Sequence, residues 1–197
     1  MEACHSLFLR SSRELSLEDR VGRIFDSACL ELDGEAYVGK YILNDWKSIE
    51  GFINKKLRLN DEGKNILYRN LDTGDKIIIS GRSAGKIASH LKYGEIYQKT
   101  IIHIPEIIKN MKFLEDMSAD SKNAKFPKYS YYITGVNIDE TPYTIISTVG
   151  HNEYGTYYYH NVFDGIKQDV FKRAELAGAK DTTYGRLANI IKRRSEP

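Results

Sequence analysis

YSYYITGVNIDETPYTIISTVGHNEYGTYYYH, Tyr129–His160, is the stretch whose reading decides the fold. It is dense in Tyr, Thr, Ile and Val, the residues that suit a pleated, half-buried surface. Asp139-Glu140 and Asn152-Glu153-Tyr154 interrupt it, which predicts three strands, Tyr129–Ile138, Tyr143–Val149 and Gly155–His160, in an antiparallel meander. If both connections are simple hairpins, the register follows. A turn at Asp139-Glu140 sets Ile138 opposite Thr141 and Tyr132 opposite Ser147. A loop of Asn152 to Gly155 sets Ser147 opposite His160. Tyr132, Ser147 and His160 then form one cross-strand row, with Tyr131, Thr148 and Tyr159 on the other face. A slip of one residue in either hairpin exchanges the faces.

The same register places His151 and His160 on one face but four rungs apart, roughly 13 Å, too far to share a zinc ion. His5, His90 and His103 have no Cys or carboxylate partner at metal-ligand spacing, so neither metal nor cofactor is expected. Eight of the fourteen tyrosines lie between Tyr129 and Tyr159. Aromatic rings on a sheet can stack nucleic-acid bases, while tyrosine also packs half-buried in ordinary sheets.

Upstream, Thr73–His90 (TGDKIIISGRSAGKIASH) reads as a β-branched run, a glycine-containing turn and a short helix ending near His90. Strand, glycine turn and helix suggest a phosphate-binding loop, but that motif needs four residues between its glycines and a hydroxyl after the lysine. Here three residues separate Gly81 from Gly85, and Ile87 stands where the hydroxyl belongs. The plainer reading makes Ser83 the helix cap and the glycines a turn. Lys86 and His90, four apart, share a helical face. Ile66–Tyr68 and Lys76–Ser80 read as short strands around Asn70–Gly74. A second helix, Ile104–Phe113, has Pro105 in its first turn, where a missing N–H costs nothing. Ser118–Lys125 reads as a mobile loop.

Residues 1–16 carry little pattern and are expected to be loose. Leu17–Leu32 has apolar residues spaced for one helical face, Glu35–Leu43 alternates like a strand, and Trp46–Leu57 reads as a helix. Residues 17–60 are therefore expected to form a small leader or adaptor, 64–165 the main domain, and 166–197 two helices, Ile166–Ala177 and Thr183–Arg194. Helices packed on one face of a short antiparallel meander, after a small helical and mixed leader, make an α+β fold.

The 197 residues are 41% hydrophobic and 28% charged, enough for a core and too apolar for extended disorder. A net charge of +2 gives no global field for nucleic acid, so any such binding rests on local clusters. Cys4 and Cys29 form no metal or disulfide pattern, which predicts a reducing, cytoplasmic setting. No apolar run approaches the roughly 20 residues of a membrane span, and the opening is too broken for a signal peptide, so a soluble chain without membrane partners is expected.

Several ordered pieces between Lys64 and Asp164 resemble a known family. They are Tyr68-x-Asn70-x-x-Thr73-Gly74 with Ile77 and Ser80, Ser83-x-x-Lys86-Ile87-x-Ser89-His90, the helix opening Ile104-Pro105, and the Tyr-rich meander closing on Tyr157-Tyr158-Tyr159-His160. The stretch resembles a phage domain found in polyvalent proteins, head-morphogenesis proteins and contact-dependent toxin tips. That domain is related to the Barnase–EndoU–colicin–RelE nucleases. The resemblance implies metal-independent cleavage of RNA, often tRNA, as a toxin or phage effector delivered by a phage or secretion system. An immunity or antitoxin protein would be its partner. Attack by the 2′-hydroxyl needs a base, an acid for the leaving oxygen and cations for the phosphate. Within the matching motifs His90 and His160 are the candidate acid/base pair, because imidazole titrates near working pH. Lys86 and Arg82 are candidates to hold the phosphate, with Ser83 and Ser147 orienting it and Tyr132 and Tyr158 contacting RNA. Two other classes stay open. A non-catalytic module would hold RNA or protein on the same sheet, and a nucleotide-binding enzyme would use the glycine turn.

Overall fold

The computed structural model describes residues 11–17, 19–20, 23, 27, 29–32, 46–89, 99–118 and 126–152, and the backbone of 157–167. After a 3-10 turn, Ser12–Glu14, come strand β1 (Leu30–Leu32) and helix α1 (Trp46–Phe52), which continues as a wider π-helical turn, Ile53–Arg58. Then follow the hairpin β2 (Tyr68–Arg69) and β3 (Lys76–Ile78), helix α2 (Gly81–Ser89), helix α3 (Ile104–Asn110) and strand β4 (Lys112–Ser118). The meander closes the described chain as β5 (Lys128–Ile138), β6 (Thr141–His151) and β7 (Tyr157–Lys167).

Asp139 and Glu140 both take positive φ, 51° and 61°, as a two-residue turn matched to strand twist requires. Ile138 therefore faces Thr141 and Tyr132 faces Ser147, as expected. The second hairpin differs by one residue. His151 pairs with Tyr157, so Ser147 lies opposite Asn161 and His160 opposite Thr148. The loop is one residue longer than a simple count allows, and because strands alternate with period two, position 160 leaves the Tyr132–Ser147 row. His151 and position 160 consequently belong to opposite rows, not to one face.

The sheet is mixed, in the order β1-β5-β6-β7-β3-β2, with β4 also on β5. One edge of β5 is shared. Antiparallel β4 covers Lys128–Ile133, while parallel β1 covers Val136–Ile138. Neither strand was read from the sequence, where Leu30–Leu32 fell in a helix and Phe113 in the end of α3. Helical spacing in a three-residue strand is coincidental, and α3 stops at Asn110 because Met111 turns extended (φ −58°, ψ 140°). Ile166 and Lys167, expected to open a helix, end β7. The expected strand at 35–43, the loop at 119–125 and the helices beyond residue 167 lie outside the described residues.

One face of the sheet carries Phe113, Tyr132, Val136, Ile138, Tyr143, Ile145 and Val149. These form a single core with Ile49, Ile53 and Leu57 of α1 and its extension, Ala84, Ile87 and Ala88 of α2, and Ile104, Ile107 and Ile108 of α3. Each Val, Leu, Ile or Phe among them removed from water contributes about 1.5–3 kcal/mol, so this layer holds the helices to the sheet. Ile133 and Ile146, paired across the other face, are also buried (3% and 4% exposed), which is why β6 is covered continuously from Ile145 to His151. No helix of the described residues is long and apolar enough to cross a membrane.

Candidate functional site

β3 delivers α2 through only two residues, Ile79 and Ser80. Ser80 Oγ accepts the Ser83 N–H at 3.1 Å, and the two hydroxyls lie 2.8 Å apart. The cap is therefore Ser80, not Ser83, whose own side chain is fully buried. Gly81 and Gly85 are both helical, so the chain forms no glycine loop to cradle phosphates. Both glycines instead face α1 and its extension at ordinary contact distance. A Cβ at Gly81 would stand 3.8 Å from Arg58 Nη1, and one at Gly85 would stand 3.4 Å from Glu50 Oε1.

Arg82 and Lys86 are exposed one turn apart on α2. Arg58, held by Asn54 Oδ1 at 2.7 Å, adds a third cation that sequence spacing did not show. β3 runs parallel to β7, with Ile77 beside Tyr157 and Ile78 beside Tyr158. Ser80 follows two residues after Ile78, past the end of β3, as position 160 follows Tyr158 along β7, and α2 packs on β7. The α2 start and the His160 position are thus brought together, with Tyr158 beside β3. His90 lies outside the described residues. Tyr132, Ser147 and Ser83 are fully buried, so the first row of the sheet is core rather than an open stacking platform.

A second polar cluster, unforeseen, sits at the other end of β3. Arg13 reaches it from the Ser12–Glu14 turn. One terminal nitrogen donates to both Asp116 oxygens (3.0 and 2.8 Å). The other donates to Asp75 Oδ2 at 2.7 Å, with Ser130 Oγ at 3.2 Å and Tyr132 Oη at 3.3 Å. Its guanidinium carbon lies 4.4 Å from the Phe113 ring centre, a cation–π arrangement. Beside it Ser12 Oγ donates to Asp72 Oδ1 at 2.6 Å, and Arg20 donates to the Leu114 carbonyl.

A β-bulge builds this pocket. The β4–β5 register shifts between Phe113 and Glu115, so Phe113 pairs with Tyr132 while Asp116 pairs with Ser130. Three residues apart, Phe113 and Asp116 would face opposite ways in a regular strand; the extra Leu114 turns both to the Tyr132 face.

Burial opposes charge on Arg13, but Asp75, Tyr132 and Asp116 outweigh it and hold the guanidinium charged well above its ordinary range. Burial likewise opposes ionisation of Asp75 and Asp116. Arg13 and Tyr132 overcome it at Asp75, and Lys128, Ser130 and Arg13 overcome it at Asp116, leaving both carboxyls below their usual value. Tyr132 is raised by burial and by the Asp75 charge, and so stays a neutral donor, to Asp75 Oδ2 at 2.6 Å. His151 is drawn down to about 4 by burial and by Lys128. Ser130 spends its proton on Asp116 Oδ1, so His151 Nε2, 2.5 Å from Ser130 Oγ, must be the donor. That tautomer cannot activate Ser130 as a nucleophile. Two carboxylates also repel phosphate, so this cluster is built around a cation. No group of three His, Cys, Asp or Glu among the described residues is arranged to hold a metal ion.

A family model described as large polyvalent protein-associated domain 3 matches residues 46–159. No curated protein and no solved structure matches the chain. The matched stretch takes in α1, α2, Asp75, Asp116 and the start of β7, and begins after Arg13.

Proposed function

This chain belongs to the large polyvalent protein-associated domain 3 family, and from that premise we propose that it acts as a metal-independent ribonuclease-like domain. It cleaves RNA, tRNA included, by attack of a 2′-hydroxyl on the adjacent phosphate, as a toxin or phage effector held in check by an immunity or antitoxin protein. What supports this reading is the parallel pairing of β3 with β7, Ile78 beside Tyr158, together with the packing of α2 on β7. In the proposed roles Arg82 and Lys86 grip the phosphate, aided by Arg58. His160 from β7 and His90, just beyond α2, exchange the protons of attacking and leaving oxygens. Ser83 supports the site through the Ser80 cap, and Ser147 and Tyr132 support it as parts of the packed floor, not as contacts to RNA. Tyr158, beside β3, is the remaining candidate for base contact.

Incubation of the full chain with total tRNA in EDTA tests the reading. Fragments ending in 2′,3′-cyclic phosphate, lost in His160→Ala and reduced at least tenfold in Lys86→Ala, are expected. Intact RNA with a folded protein, shown by circular dichroism, would overturn it. The second reading, a non-catalytic module for RNA or protein, is favoured by one fact: among the described residues of the set, Ser83, Ser147 and Tyr132 are interior while Arg82 and Lys86 are exposed. It predicts RNA retention on a filter that Arg82→Glu abolishes, with no cleavage.

A further inference from the structure

The Arg13 pocket has a property that an ordinary internal ion pair lacks: each of its walls is held by contacts besides its occupant. Asp75 is held by Tyr132 Oη at 2.6 Å, and its own N–H reaches Thr73 Oγ1 at 3.3 Å. Asp116 is held by Ser130 Oγ at 2.5 Å and by Lys128 Nζ at 2.6 Å. Phe113 packs edge-on against Tyr132, ring centres 5.7 Å apart. All these groups come from β4, β5 and the β2–β3 turn.

The occupant, by contrast, is tied on by side chains among the described residues. The backbone hydrogen bonds of the Ser12–Glu14 turn, Glu14 N–H to Ser11 and Leu15 N–H to Ser12, close on the turn itself. Ser12 and Arg13 reach across by side chain, as Arg20 does a turn later. A preorganised pocket filled by a tethered side chain is a binding site with its ligand attached.

We propose that Phe113, Asp75, Asp116, Ser130 and Tyr132 form a guanidinium-recognition site, with Arg13 as its resident ligand and an arginine side chain of a partner polypeptide as the ligand it takes in trans. The chemistry selects arginine over lysine. Donors of the planar fork meet two carboxylates in different directions while its face lies on the Phe113 ring, which a point-like ammonium cannot do at once. Asp75, with its side chain 12% exposed, gives the site its depth, and Asp116, 30% exposed, gives it an open side. A partner arginine would enter from that side as the arm is drawn off. In the intact chain Arg13 holds the site at high effective concentration, so the pocket opens to others only when the arm leaves.

Emptying the pocket tests this. Arg13→Ala should melt several degrees below the unaltered chain. Agmatine, an arginine without its backbone, should raise its Tm saturably by about 2–4 °C. The synthetic hexapeptide of residues 11–16 should do the same, n-butylammonium should not, and the unaltered chain should shift far less. Adding Asp75→Asn to Arg13→Ala should abolish the response. If Arg13→Ala gives no cooperative transition, Arg13→Lys, which keeps the charge but not the fork, should still be stabilised by agmatine. A flat response to agmatine in whichever variant folds, or an equal response to butylammonium, would overturn the proposal.

Discussion

The two ends of β3 hold arginines in opposite states. Beyond its C-terminal end, Arg82 stands exposed on the first turn of α2, with Lys86 beyond it and Arg58 beside Gly81. Before its N-terminal end, Arg13 is spent on two carboxylates, two hydroxyls and a ring. The same side chain stands exposed in one place and is a bolt in the other. What differs is the company each keeps in three dimensions, and a cation serves an anionic ligand only when its donors are not already committed.

Breaking the closed end should cost most. Asp75→Ala leaves the Arg13 guanidinium half-buried beside one carboxylate and strips the Tyr132 hydroxyl of its acceptor. Urea denaturation should show a loss of about 3–5 kcal/mol. Acid should weaken the same end. His151 is held to about 4 in the fold against 6.5 for an ordinary imidazole, so between those values the unfolded chain binds a proton that the fold refuses. Stability from this group is complete above about pH 6.5 and is lost as pH falls to about 4, by at most about 3 kcal/mol. Asp75 and Asp116, held below their ordinary value, extend the decline to lower pH. Urea midpoints at pH 7 and pH 5 should differ, and His151→Gln should narrow the difference.

Beside His151, Gly150→Ala should cost about 1–3 kcal/mol by the same measurement, because the added Cβ would fall 2.3 Å from the Phe126 ring. The open end should behave in the reverse sense. Arg82→Ala and Lys86→Ala should change stability by less than about 0.5 kcal/mol, since both side chains are exposed. They should nevertheless weaken RNA binding or cleavage at least tenfold. A large stability loss there would erase the contrast between the two ends.

Much of the fold was legible in the chain. Alternation of Tyr, Ile and Val over Tyr129–Val149 placed β5 and β6, and the Asp139-Glu140 turn set their register to the residue. Helices α1, α2 and α3, and the β2–β3 hairpin, were visible from apolar spacing, Pro105 and the Asn70–Gly74 turn. The second hairpin was not, because nothing in Asn152–Thr156 states how many residues the loop consumes, and one residue exchanges every side chain between faces. Strands β1 and β4 were hidden for a related reason: the three residues of LEL are too few to establish a period, and the bulged KFLEDMS breaks it.

By itself the sequence determined helices α1 to α3, strands β2, β3, β5 and β6, the α+β class, the lack of a glycine-loop motif and the family pieces from Tyr68 to His160, since each depends on neighbours along the chain. Tertiary structure alone decided which charged groups among the described residues meet. Arg13 meets Asp75 and Asp116 across 62 and 103 residues, and the bulge at Leu114 aims Asp116 at it. Loop length, bulge placement and shared strand edges depend on the summed packing of distant segments, which no local pattern encodes.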